Sequence, residues 1–122
     1  MTEGPYATPI PYCDPLRAFA AFSGDPVSAL LDSAAEIGPR GRYAYIAADP
    51  FRVITAAKGG TTVDGCPAAG EPFQVLEHQL KMFQMGNDPD LPPFQGGAVG
   101  YLGYELGRHL ERLPPSPEAG LD

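Results

Sequence analysis

At 122 residues the chain holds one small domain and falls short of the two-domain layout that most cofactor-dependent enzymes use. Its 15 glycines and 15 prolines bring it to the compositional edge of disorder, yet 43% hydrophobic and 19% charged residues place it among folded chains. Eight Lys and Arg against 15 Asp and Glu give a formal charge of -7, which repels polyanions and so excludes nucleic acid and anionic membrane surfaces as partners.

Residues 6–12, with Pro9 and Pro11 inside and Pro5 just before, suit an edge strand or an extended lead-in. Asp14 and Pro15 then open a helix, because Asp caps well and Pro fits the first helical position. Leu16, Phe19, Ala20 and Phe22 give that helix a short apolar face, which Ser23-Gly24 ends. Residues 27–35 are ambiguous: the composition passes as helix, and the run also fits a buried strand between Gly24-Asp25-Pro26 and Gly38-Pro39. Over 42–48, Tyr43 and Tyr45 share one face and Ala44 and Ile46 the other, so a strand is predicted, stopped by Asp49-Pro50.

Residues 51–58, a Gly59-Gly60 turn and residues 61–63 read as a hairpin, the two glycines supplying positive backbone angles. From 72 to 85, Phe73, Leu76, Leu80 and Phe83 keep helical spacing, with Glu77 and Lys81 four apart on the outer face. Pro92-Pro93 opens the last unit, where a glycine-rich strand beginning at Phe94 runs into a helix carrying Leu106, Leu110 and Leu113. Short mixed elements around a hairpin predict an α+β fold with a mixed, largely antiparallel sheet and flanking helices.

No complete catalytic constellation emerges. Glycines 96, 97, 100, 103 and 107 match neither the dinucleotide fingerprint nor a phosphate loop with its Lys-Ser ending, so close packing is their expected role. His78 and His109 stand apart from any second ligand, Asp88 and Asp90 flank Pro89 as ordinary turn residues, and Glu105, Arg108 and Glu111 make surface helix pairs. Cys13 and Cys66 cannot complete a zinc site unaided and read as buried or incidental thiols. No metal or catalytic residue is assigned. Neither an apolar stretch of roughly 18 residues nor a secretory leader is seen, so a cytoplasmic protein is expected.

The run Pro93-Phe94-Gln95-Gly96-Gly97-Ala98-Val99-Gly100-Tyr101-Leu102-Gly103-Tyr104-Glu105-Leu106-Gly107-Arg108, with Leu113-Pro114 after it, closely resembles the chorismate-utilising family that contains anthranilate synthase and aminodeoxychorismate synthase. Its wording is more similar to the para-aminobenzoate branch than to the tryptophan branch. Leu30-Leu31-Asp32-Ser33 resembles that family's Leu-Leu-Glu-Ser element, with Asp in the Glu position, and Gly41-Arg42-Tyr43-Ala44-Tyr45-Ile46-Ala47-Ala48-Asp49-Pro50 resembles its Gly-Arg-Tyr strand.

The resemblance implies an N-terminal domain over residues 1–113 and a proline-rich tail over 114–122 leading to a C-terminal catalytic region. That region would hold chorismate and magnesium, so the chain alone is expected to be inactive and to bind no cofactor. It also implies a glutamine amidotransferase partner that delivers ammonia. What carries over by position is a tryptophan-type pocket lined by Leu31, Ser33, Arg42 and Tyr43, with polar groups for the ammonium and carboxylate and apolar walls for the indole. A purely structural role for these residues has Ser33 bonding its own backbone and Tyr43 in the core. The resemblance extends as well to the tryptophan-branch enzyme, and a free-standing amino-acid-sensing module would retain the pocket by itself. Uncovered apolar surface would make the chain self-associate, and tryptophan would bind weakly or undetectably to half a pocket.

Overall fold

The computed structural model describes residues 4–33, 38 and 41–112. Its elements are α1 (Pro15–Ala20), β1 (Ser28–Leu31), β2 (Tyr45–Ala48), β3 (Ile54–Ala57), β4 (Gly60–Val63), β5 (Cys66–Ala68), α2 (Pro72–Met82) and a 3-10 helix (Tyr104–His109). The fold is α+β with antiparallel strands, divided into a β1-β2 sheet and a β3-β4-β5 sheet instead of one mixed sheet. Asp49 turns the chain at φ 51° just after β2, and Pro50 lacks a ladder donor, so β2 cannot run on. Two compact units result, Met1–Phe51 with Met85–Val99, and Arg52–Gln84 with Gly100–Asp122.

In the first unit, Asp14 caps α1 as its sequence predicts, its Oδ1 accepting from the amides of Leu16 at 3.1 Å and Arg17 at 3.2 Å. The helix stops at Ala20, earlier than its apolar spacing suggests, and the Ser23 hydroxyl donates to the Ala20 carbonyl at 3.0 Å. The ambiguity over 27–35 resolves as strand. β1 pairs antiparallel with β2, setting Leu30 opposite Ile46 and Leu31 opposite Tyr45, and these cross-strand partners override local helix propensity. The rest of that stretch, from residue 34, lies outside the described residues. Residues 6–12 form no strand, and Tyr6, Ile10 and Tyr12 are exposed.

In the second unit, β3 starts at Ile54, three residues later than expected, and the hairpin turn also moves. Gly60 pairs with Ala57, so the two turn residues are Lys58 and Gly59, and Gly60 joins β4 at φ 119°. The pairing of Ile54 with Val63 fixes this register, since a slip of one residue would turn buried Thr61 and half-buried Val63 to the opposite face of the hairpin. A second hairpin, unforeseen in the sequence, joins β4 to β5 through Asp64 and Gly65, both at positive φ (52° and 79°), the signature of a type I′ turn. Asp64 also holds the start of β3: Oδ1 accepts from the Val53 amide at 2.8 Å and Oδ2 from Arg52 Nη1 at 2.9 Å.

α2 begins with a reciprocal capping box between Glu71 and Gln74, and Glu77 and Lys81 pair at 2.5 Å as the spacing predicts. That hydrogen bond and charge hold the Glu77 carboxyl below the usual carboxylate range. The helix ends at Met82, short of the expected residue 85, where the Phe83 amide turns back to the Leu80 carbonyl in a tighter 3-10 closure.

The glycine-rich strand after Phe94 does not form. Gly96 (φ 156°) and Gly97 (φ 137°) both adopt positive angles foreign to a ladder of L-residues, and a Cβ on Gly96 would sit 2.4 Å from Met85 Cε. Residues 104–109 then wind as 3-10 helix, where an α-helix through Leu106, Leu110 and Leu113 was expected. Here Glu105 pairs with Arg108, and His109 reaches Glu71. Leu113 and residues 114–122 lie outside the described residues.

Burial is sparse. Among the described residues only Val75, at 7%, and Thr61, at 5%, are buried, and both belong to the second unit. Cys13 and Cys66 are exposed free thiols, not buried ones.

Candidate functional site

The four residues singled out in the sequence lie at one end of the β1-β2 sheet. Leu31 closes β1 directly opposite Tyr45 and is 45% exposed. Ser33 follows two residues after that last ladder pair and Tyr43 precedes it by two; Ser33 is exposed and Tyr43 half-buried. The Ser33 amide donates to Asp32 Oδ1 at 2.9 Å, a local bond of the kind Asp makes where a strand ends.

The strand expected over 42–48 starts only at Tyr45, and Tyr43, two residues ahead of it, keeps its ring centroid 6.2 Å from that of Tyr45. The Arg42 guanidinium lies 5.2 Å from the Tyr43 centroid, within cation–π range. One end of the sheet therefore presents an apolar wall (Leu31, Tyr43), a hydroxyl (Ser33) and a cation (Arg42). This set suits a small zwitterion with an aromatic side chain: the cation for a carboxylate, the hydroxyl for an ammonium, the rings for the apolar part.

Two further residues enlarge the wall. The Tyr45 ring meets Phe94 edge to face at 5.6 Å and 79°, and the Phe94 amide donates to the Tyr45 hydroxyl at 3.4 Å. The alternation of Tyr43 with Tyr45 was legible in the sequence, but the arrival of Phe94 from a distant loop carried no local signal.

Among the described residues no group of three or more His, Cys, Asp and Glu stands close enough to hold a metal ion. His78 and His109 lie on different elements, and His109 is engaged with Glu71. No helix in the described residues is long and apolar enough to cross a membrane.

No family model and no solved structure matches the chain, but curated sequences do. Anthranilate synthase component 1 of Acetivibrio thermocellus is 36% identical over 109 residues, covering 85% of this chain and 22% of that protein. Aminodeoxychorismate synthase component 1 of Salmonella typhimurium is 41% identical over 104 residues, 79% of this chain and 22% of the relative. Anthranilate synthase component 1 of Streptomyces coelicolor is 37% identical over 110 residues, 88% of this chain and 19% of the relative. Over about four fifths of its own length the chain is homologous to component 1 of anthranilate and aminodeoxychorismate synthases. It spans about a fifth of the length of the curated synthases it matches.

Proposed function

We propose that this chain is the N-terminal, non-catalytic region of an aminodeoxychorismate synthase component 1, which aminates chorismate to 4-amino-4-deoxychorismate in para-aminobenzoate and folate biosynthesis. The observation that carries this reading is the 41% identity to the Salmonella typhimurium aminodeoxychorismate synthase component 1. The Phe94-Gln95-Gly96-Gly97 and Gly103-Tyr104-Glu105-Leu106-Gly107-Arg108 wording supports it. Among the described residues no group of three or more His, Cys, Asp and Glu gathers; it is the resemblance that assigns magnesium and the amination step to a region beyond the matched fifth, with ammonia from a glutamine amidotransferase partner, in the cytoplasm.

Leu31, Ser33, Arg42 and Tyr43 form one side of an amino-acid pocket for tryptophan or a similar aromatic amino acid. Its other side comes from the region beyond the matched fifth, so the chain alone binds weakly: an open wall leaves the indole in water. Calorimetry should find affinity restored in a full-length chain and lowered there by Ser33→Ala. Micromolar binding to the isolated chain that Ser33→Ala leaves unchanged would remove both the pocket and the role of Ser33.

Incubating the 122-residue chain with chorismate, magnesium and ammonia should yield neither aminodeoxychorismate nor anthranilate. Turnover that survives purification to homogeneity would overturn the non-catalytic assignment. A second reading, the corresponding region of an anthranilate synthase component 1, is favoured by the relatives of that name at 36% and 37% identity.

A further inference from the structure

The Tyr45 side chain also joins the candidate pocket to a residue far away in sequence, Phe94. Tyr45, the first residue of β2, bridges from Tyr43, just ahead of the strand and 6.2 Å away, to Phe94, 5.6 Å away, in a continuous row of rings. Phe94 belongs to a loop that is tied to itself. The Gln95 side chain clamps Asp88 at two points, Oε1 accepting from the Asp88 amide at 2.8 Å and Nε2 donating to the Asp88 carbonyl at 2.6 Å. The Asp90 amide donates to Asp88 Oδ1 at 2.9 Å and the Leu91 amide to the Asp88 carbonyl at 3.2 Å. These bonds tie residues 88–95 into one hydrogen-bonded loop. Behind the clamp, Gly96 lies so close to the Met85 methyl that a Cβ there would displace it.

We infer that Tyr45 is a positioning residue coupling the Tyr43 face of the candidate pocket to the loop of residues 88–97, through its ring packing on Phe94 and its hydroxyl on the Phe94 amide. The inference rests on the pocket reading for its meaning, since occupancy of the pocket is then transmitted to the Gln95-Gly96-Gly97 segment, while the coupling itself is read without ligand. An edge-to-face contact adds a directional preference beyond simple burial, so a shift of the Tyr45 ring carries Phe94 with it. The hydrogen bond is long and marks orientation more than strength.

The test is amide NMR on the 122-residue chain, with Tyr43→Leu as the pocket perturbation. In the wild-type background, Tyr43→Leu should move the amide resonances of Phe94, Gly96 and Gly97. In a Tyr45→Leu background it should no longer reach them, and Tyr45→Phe, which keeps the ring, should rescue the response. Tyr45→Phe should also speed exchange of the Phe94 amide about two- to fivefold through loss of the hydroxyl acceptor. Loop resonances that respond to Tyr43→Leu equally with and without the Tyr45 ring would overturn the coupling and leave the pocket standing. If Tyr45→Leu does not fold, unchanged Phe94 exchange in Tyr45→Phe overturns it instead. The pocket is judged separately, by tryptophan titration of full-length protein, where absence of binding would remove the pocket and leave only a structural link.

Discussion

Replacing Asp64 should destabilise the second unit in an order that separates its three roles. Asp64 accepts from the Val53 amide at 2.8 Å, a bond contributing about 1 kcal/mol. Its ion pair with Arg52 joins side chains that are 42% and 44% exposed, and solvent screening holds that contribution to about 0.5 kcal/mol. The backbone stands at φ 52°, where Ala costs about 1 kcal/mol more than Asp or Asn. Asp64→Ala should therefore lose about 2.5 kcal/mol, and exchange of the β3-β4 ladder amides should accelerate about sixtyfold. Asp64→Gly regains the backbone freedom and loses only the two bonds, about 1.5 kcal/mol or roughly tenfold. Asp64→Asn keeps both the turn and an acceptor and should change exchange by about threefold. Native-state hydrogen exchange by NMR reads all three. Asn as damaging as Ala, or Ala within about threefold of wild type, would refute the assignment of this hairpin's stability to Asp64.

Val75→Ala should destabilise α2 packing on β4 by about 1.5 kcal/mol, because two buried methyl groups leave a site that is 7% exposed; urea denaturation followed by circular dichroism checks it. The Glu77 carboxyl is held down by Lys81, so its support of α2 is present above the ordinary carboxylate range and fades as pH falls through its lowered value. Acid titration of helix content should show this fade in wild type, and Glu77→Gln should flatten it. The exposed apolar side chains, among them Tyr6, Ile10, Tyr12, Tyr101, Leu102 and Tyr104, should drive self-association of the isolated chain, visible by sedimentation; a strict monomer at high concentration with no binding of an apolar-surface dye would contradict it.

Local signals in the sequence located what is locally determined. The Asp14 cap, Pro15 at the first helical position and the Glu77–Lys81 pair depend on residues at most four apart, and all three are present. Residues 27–35 stayed ambiguous because four-residue β1 is decided by its distant partner β2. The Gly59-Gly60 turn was misplaced by one residue because register follows the Ile54–Val63 pairing, not the glycines alone. Asp64-Gly65 carried a hairpin signal, but Cys66-Pro67-Ala68 behind it looks unlike a strand. Glycines 96 and 97 have no side chains to set a period, so strand could not be told from loop. At the site, Leu31, Ser33, Arg42 and Tyr43 came through family wording, and Phe94 joined only once the fold returned it to Tyr45.

The central claim is tested most directly by transplanting this chain into its relatives. Its matched residues would replace the corresponding fifth of the Salmonella typhimurium aminodeoxychorismate synthase component 1, and in parallel that of the Streptomyces coelicolor anthranilate synthase component 1. Each soluble chimera would be assayed with chorismate, magnesium and ammonia. The first chimera should make aminodeoxychorismate at a rate near its parent's, and the second should lose more of its parent's rate. A soluble but inactive first chimera beside a fully active second one would contradict it.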